Sequence, residues 1–195
     1  MEDTGELGGP VGGSRGTLWT IGHSTRSFEE FFALLAEHRI QFLADVRHFP
    51  ISQRVPWTAK ASLAKVLSDR GIAYEHLEAL GGFRKALRES MNQGWRNSGF
   101  RGYADHMGSA EFSAGLGRLI AIAVERRTAI MCAEAVPWKC HRSLLSDALL
   151  VHGVRVVHIL SPGKVQDHRL TAFARVHGTR VTYPAPRKGL KARDR

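Results

Sequence analysis

The chain has 195 residues, 43% of them hydrophobic, and a formal net charge of +10. That length can bury a full core within one domain, and no apolar run approaches the ~20 residues that span a bilayer, so no membrane partner is expected. Two cysteines do not make a secreted disulfide framework, and the first residues lack the basic and apolar segments of a signal peptide; both point to a cytoplasmic protein in which Cys132 and Cys140 are free thiols.

The positive charge is uneven. The stretches from Arg187 to Arg195 and from Phe83 to Arg101 each carry five basic residues against one acidic residue. Such asymmetry suggests an anionic partner, either a small phosphorylated or nucleotide-like molecule or a nucleic acid.

In chain order, residues 1–16 are Gly-rich and read as a flexible leader, 17–183 as one α/β domain, and 184–195 as a basic, disordered tail. Leu18 to Ile21 form a first strand that Gly22 ends. The polar turn His23-Ser24-Thr25-Arg26 follows, then Ser27-Phe28-Glu29-Glu30, a capping box that opens an amphipathic helix. Ile40 to Val46 is a second strand. Asp45 and Arg47 are two apart at its end and share a face, so they either pair to hold the sheet end or supply a carboxylate base and an anion grip. Thr58 is expected to cap a helix through Leu63 and Leu67, and Ile72 to Leu77 is the third strand.

Phe83 to Met107 has strong turn signals at Gly94, Gly99 and Gly102 and mixes arginines with aromatics, among them Arg101 and Tyr103. It reads as a lid over the site or a nucleic-acid-facing arm, although the same residues could pack the segment down. Ser109 caps a long helix through Phe112 and Leu119. After the next strand and helix, Val154 to Leu160 form a fifth strand. Val165, Leu170, Phe173 and Val176 suggest a last helix, and Thr179 to Tyr183 an edge strand. The alternation of strand and helix predicts a mostly parallel sheet of about five strands flanked by helices, with a ligand cleft at the strand C-terminal ends.

The densest chemistry lies between Thr128 and Leu149. A short apolar strand, Ala129-Ile130-Met131, runs into a loop with Cys132, Glu134, Pro137, Cys140, His141 and Arg142, and a helix follows. With the turn after the first strand, this sets a candidate site. Cys140, Asp45, Glu134 and His23 are the candidate catalytic groups. Gly22, Ser24, Arg47, Cys132, His141, Arg142, Arg101 and Tyr103 are the candidate ligand-binding residues. Cys140 is the better-placed nucleophile, because Arg142 and a helix N-terminus favour its thiolate; Cys132 could be a small buried hydrophobe. Arg47 and Arg142 would grip a phosphate or carboxylate. Cys132, Cys140 and His141, with His23 or His76, offer an alternative metal site, although the gap between the cysteines is not a standard zinc knuckle. The motifs name no cofactor.

Five pieces occur in order: Thr20-Ile21-Gly22-His23-Ser24, Asp45-Val46-Arg47-His48-Phe49-Pro50, Leu80-Gly81-Gly82, Gly99-Phe100-Arg101-Gly102-Tyr103-Ala104, and Met131-Cys132-Ala133-Glu134 followed by Cys140-His141-Arg142. In this combination the chain resembles the prokaryotic family known only as domain of unknown function number 488, over roughly Leu18 to Leu160. The resemblance implies one α/β domain and names no reaction. A fainter similarity is to rhodanese-like and tyrosine-phosphatase-like domains, which also have a strand–Cys–loop–helix unit. A phosphatase loop needs Arg six residues after Cys, where this chain has Trp138 or Ser146, so phosphatase chemistry is not expected, and persulfide or other thiol chemistry stays open.

Overall fold

The computed structural model describes residues 16–186; nearly all of the expected leader and most of the expected basic tail lie outside the described residues. Five parallel strands, β1 (Thr17–Gly22), β2 (Phe42–Asp45), β3 (Ala73–His76), β4 (Thr128–Cys132) and β5 (Arg155–Ser161), stand in the order β3-β2-β4-β1-β5. An antiparallel strand, β6 (Lys164–Asp167), is added at the edge.

The alternation of side chains along each strand splits the core in two. Ile21, Leu43, Met131 and Ile159 pack under α1 (Phe28–Glu37) and α2 (Lys60–Ser68). Leu18, Ala44, Ile130 and Val156 pack under α4 (Ala110–Glu125) and α5 (Arg142–Val151). Helices on both faces explain why the inner strands β1, β2 and β4 are buried almost throughout. The helix after β1 covers one face and the helix after β4 covers the other, while β1 and β4 are hydrogen-bonded neighbours. Their C-terminal ends therefore flank a crevice where the chain direction switches, the ordinary ligand position in an open α/β sheet.

The capping box is present: the Ser27 hydroxyl accepts from the Glu30 N–H and the Glu30 carboxylate accepts from the Ser27 N–H. Thr58 is not a helix cap. It lies in a 3-10 turn and donates its hydroxyl to the Val55 carbonyl, while α2 starts after Ala59. The Phe83–Met107 stretch contains a helix, α3 (Ser98–His106), capped by the Asn97 side chain. Among the described residues no helix follows β5. Gly163 takes a φ of +65°, which turns the chain back into β6. The expected last strand, β8 (Arg180–Thr182), pairs with β7 (Arg175–His177) in a separate two-stranded sheet rather than at the main edge. Among the described residues, no single helix is long and apolar enough to cross a membrane.

Candidate active site

Gly22 ends β1 opposite Cys132, which ends β4. A Cβ on Gly22 would overlap the Glu134 carbonyl, so only glycine lets the loop after β4 close over β1. The two loops are then stitched by His23 N–H to the Cys132 carbonyl, 3.0 Å, and Ser24 N–H to the Ala133 carbonyl, 2.8 Å. The buried His23 donates Nδ1–H to the Ser24 carbonyl, 2.9 Å. In the neutral ring this leaves Nε2 as an acceptor, and that atom is buried with no partner among the described residues. Burial lowers the His23 pKa, with Arg47 adding to the effect against the opposing Ser24 hydrogen bond, so the ring faces the crevice as a neutral base.

At the end of β2, Arg47 Nε lies 2.8 Å and Nη2 2.5 Å from the fully buried Asp45 carboxylate; Nη2 also donates to the Thr58 carbonyl. Tyr74 donates its hydroxyl to Asp45 at 2.7 Å. Burial works against the Arg47 charge, but pairing with Asp45 holds its pKa above the ordinary value. Its remaining nitrogen, Nη1, is buried with no partner among the described residues.

Pro137 to Lys139 form a 3-10 turn that carries the chain back on itself. Cys140 Sγ thereby comes within 2.8 Å of Cys132 Sγ. Cys140 Sγ also accepts the Arg142 N–H at the start of α5, 3.4 Å, and stands 3.6 Å from His141 Nδ1. His141 Nε2–H is held on the Val46 carbonyl at 2.8 Å, so in the neutral ring Nδ1 is the free acceptor facing the thiol. Arg142 is 1% exposed and lies behind the pair, with Nε 2.9 Å from Cys132 Sγ. Burial raises both thiols, but the Cys132 hydrogen bond, the contact with His141 and the Arg142 charge bring Cys140 well below the ordinary thiol value. Cys132, buried and donating to that sulfur, is pushed up. The two shifts run in opposite directions, so Cys140 is the sulfur that gives up its proton more readily.

These groups line a cleft of about 390 Å³ with His23, Arg47, Tyr103, Cys132, Glu134, Lys139, Cys140 and His141 in its wall. Phe49, Ile51 and Phe83 form an exposed apolar rim, the two phenyl rings 5.9 Å apart. Phe83 holds a φ of +57°, a conformation that costs a bulky residue energy.

Of the candidate residues, Asp45, Arg142, Arg101, Gly22 and Ser24 do not line this cleft. Arg142 is no anion grip, because its nitrogens are taken by Cys132, Thr20 and the Glu134 carbonyl. Asp45 is no accessible base, because both oxygens are engaged by Arg47 and one also by Tyr74. Arg101 instead donates to Gln93 at 2.8 Å. Tyr103 lends the cleft its ring and gives its hydroxyl to the Leu80 carbonyl. Among the described residues, no group of three or more His, Cys, Asp or Glu side chains is placed to hold a metal; His76 Nε2 is spent on the Arg47 carbonyl.

Sequence reasoning missed the chain of groups behind the thiols. Arg142 Nη1 donates to Thr20 Oγ1, which lies 2.8 Å from His158 Nδ1; His158 Nε2 is 3.1 Å from His168 Nδ1, and His168 Nε2 is 2.8 Å from the buried Asp147 carboxylate. With both imidazoles neutral, the carboxylate at the end sets every hydrogen-bond direction, and the donors run from Arg142 to Asp147. His158 was a visible signal, a histidine inside an apolar strand, but its partner depends on the β1–β5 register that sets Thr20 beside it. Gly82 was also underread: a Cβ there would sit 3.0 Å from His141 Nδ1.

A family model described as "Domain of unknown function DUF488" matches residues 27–149, more than half of the chain. The chain belongs to this DUF488 family. The match is narrower than the Leu18–Leu160 stretch carrying the sequence resemblance. It takes in Arg47, Tyr103 and the whole Cys132–Arg142 loop but stops short of His23 and His158. No curated protein and no solved structure matches the chain significantly. Family membership brings no activity with it, so the chemistry must be argued from the site.

Proposed function

We propose that this DUF488 chain is an enzyme that uses Cys140 as a nucleophilic thiolate on an anionic small molecule held in the cleft. The observation that carries this reading is the placement of Cys140 Sγ between the first N–H of α5 and His141 Nδ1, with the imidazole fixed by Val46. The thiol proton passes to His141 Nδ1, and the sulfur left behind is stabilised by the helix N-terminus and by Arg142. Arg47 Nη1 supplies one buried cationic donor and His23 Nε2 one neutral acceptor. This combination suits a phosphate or carboxylate that neighbours a protonated group. The Phe49–Phe83 rim suits a planar or apolar portion, as in a nucleotide-like compound. A thiolate of this kind works in a reducing compartment such as the cytoplasm.

The basic Phe83–Arg101 stretch supports a nucleic-acid arm less well. Arg84 is held by the Gly81 and Glu78 carbonyls and by Glu111, and Trp95 packs on Phe100, Phe173 and Tyr183.

The test compares iodoacetate with iodoacetamide. Alkylation at Cys140 should favour the anionic reagent relative to a free thiol, and Arg47→Lys should cut that preference several-fold. Equal selectivity in both proteins, or labelling spread evenly over both cysteines, contradicts the reading.

A further inference from the structure

The assignment of Cys140 as nucleophile leaves Cys132 unexplained. A thiol needed only to fill space would not sit 2.8 Å from the reactive sulfur, on the cleft wall, with a guanidinium Nε 2.9 Å away. Closing the pair into a disulfide, with its S–S bond of about 2.05 Å, moves the sulfurs together by less than 1 Å. The seven residues between them already fold back through the Pro137–Lys139 turn. Glu134 and Lys139, between the two cysteines, are exposed side chains on the same wall. Arg142 also holds the Glu134 carbonyl, so the loop that carries Cys132 is anchored on the same cation that faces its sulfur.

From this geometry we infer that Cys132 is the resolving thiol for Cys140, and that the site carries out thiol–disulfide exchange on small anionic disulfides. The inference rests on the Cys140 nucleophile proposed above and names the bond that it attacks. The Cys140 thiolate attacks one sulfur of a disulfide R–S–S–R. A Cys140–S–S–R bond forms, the original S–S bond breaks, and the leaving RS⁻ takes the proton held on His141 to depart as RSH. Cys132 Sγ then attacks the Cys140 sulfur. The Cys132–Cys140 bond forms, the second RS⁻ leaves, and it takes the Cys132 proton. Two thiols of the protein are oxidised, one disulfide is reduced by two electrons, and two RSH are released. Arg142 Nε stands where it stabilises Cys132 as that sulfur gives up its proton. A dithiol reductant returns the pair to its starting state. Arg47 Nη1, the free buried donor in the cleft, would take the anionic group of R.

The experiment mixes the reduced full chain with dithiobis-nitrobenzoate, an aromatic disulfide bearing a carboxylate on each ring. Release of thionitrobenzoate and the mass of the protein are followed together. The expected wild-type result is two thionitrobenzoates released per chain, no lasting adduct, and a Cys132–Cys140 cross-link in the peptide map. Cys132→Ser and Cys132→Ala should each release one and retain a stable adduct on Cys140. A wild-type chain that keeps an adduct on Cys140, or on both cysteines, overturns the resolving role while leaving the Cys140 nucleophile intact. A Cys140→Ser chain that reacts as fast as wild type overturns the nucleophile assignment itself. The wild-type arm decides the matter even if a cysteine variant fails to fold.

Discussion

Arg142 and Cys132 form a buried cation–sulfur contact, guanidinium Nε to Sγ at 2.9 Å, and among the described residues no carboxylate touches that guanidinium directly. The nearest fixed negative charge on its hydrogen-bond chain is Asp147, at the end of the relay through Thr20, His158 and His168. The thiol pair is therefore the natural local counter-charge. Arg142→Gln should lose about 3–5 kcal/mol of stability, the usual result of breaking a buried charge arrangement. It should also slow Cys140 alkylation at neutral pH by about tenfold or more. Chemical denaturation and mass-resolved alkylation check the two effects separately.

The shifted thiols also set a pH dependence of stability. Cys140 is held below its unfolded value of about 8.5, so its contribution is fully present above that pH and is lost as pH falls through the lowered folded value. Cys132 is raised, so above about 8.5 the unfolded chain ionises it first and stability falls. The gap in melting temperature between wild type and Cys140→Ser should widen as pH rises from the acid side toward about 8.5. Thermal scans across that range measure it.

His158 gives a second check, with stability again falling as pH falls but in a lower pH window. Burial, with His168 and Arg142 close by, pushes its pKa down to about 3. An unfolded histidine takes up a proton below about 6.5 while the native one does not, so stability falls as pH drops from about 6.5 toward 3. The loss is on the order of a few kcal/mol. His158→Gln, which can still bridge Thr20 and His168, should flatten that limb in acid denaturation curves.

Gly82 tests the positioning of His141. Gly82→Ala places a methyl 3.0 Å from His141 Nδ1, too close for the imidazole to keep its place beside Cys140. Stability should change by only about 1 kcal/mol, while the rate of Cys140 alkylation at neutral pH falls several-fold. An unchanged rate would mean that the imidazole does not support the thiolate.

Asp45 is placed as a positioning residue. Tyr74→Phe removes one of its donors and should cost about 1 kcal/mol with Cys140 reactivity preserved. Asp45→Asn should also abolish the preference for iodoacetate, because Arg47 loses the carboxylate that aligns it. Denaturation and the two-reagent labelling assay read these out.

The parts of this molecule legible in the sequence are those set by local chemistry. Ser27-x-x-Glu30 folds its own capping box, Asp45 and Arg47 meet because two residues along a strand share a face, and the Cys132–Arg142 loop lies where a strand gives way to a helix. The parts not legible depend on distant partners. Val165, Leu170, Phe173 and Val176 have helix-like spacing, but Gly163 turns the chain into a hairpin against β5. Arg142 and Arg101 looked free for a ligand until the fold gave the first Cys132 and Thr20, and the second Gln93. The 2.8 Å approach of two cysteines eight positions apart depends on the turn at Pro137–Lys139, and the Thr20–His158 contact depends on a register between strands far apart in sequence.

The most direct test of the account is the pH dependence of alkylation at Cys140 and Cys132 in the wild-type chain, resolved site by site by mass spectrometry. Cys140 should react with a midpoint well below the free-thiol value of about 8.5, and Cys132 should stay unreactive past it. Two cysteines that titrate together at or above that value would contradict a Cys140 thiolate and the chemistry built on it.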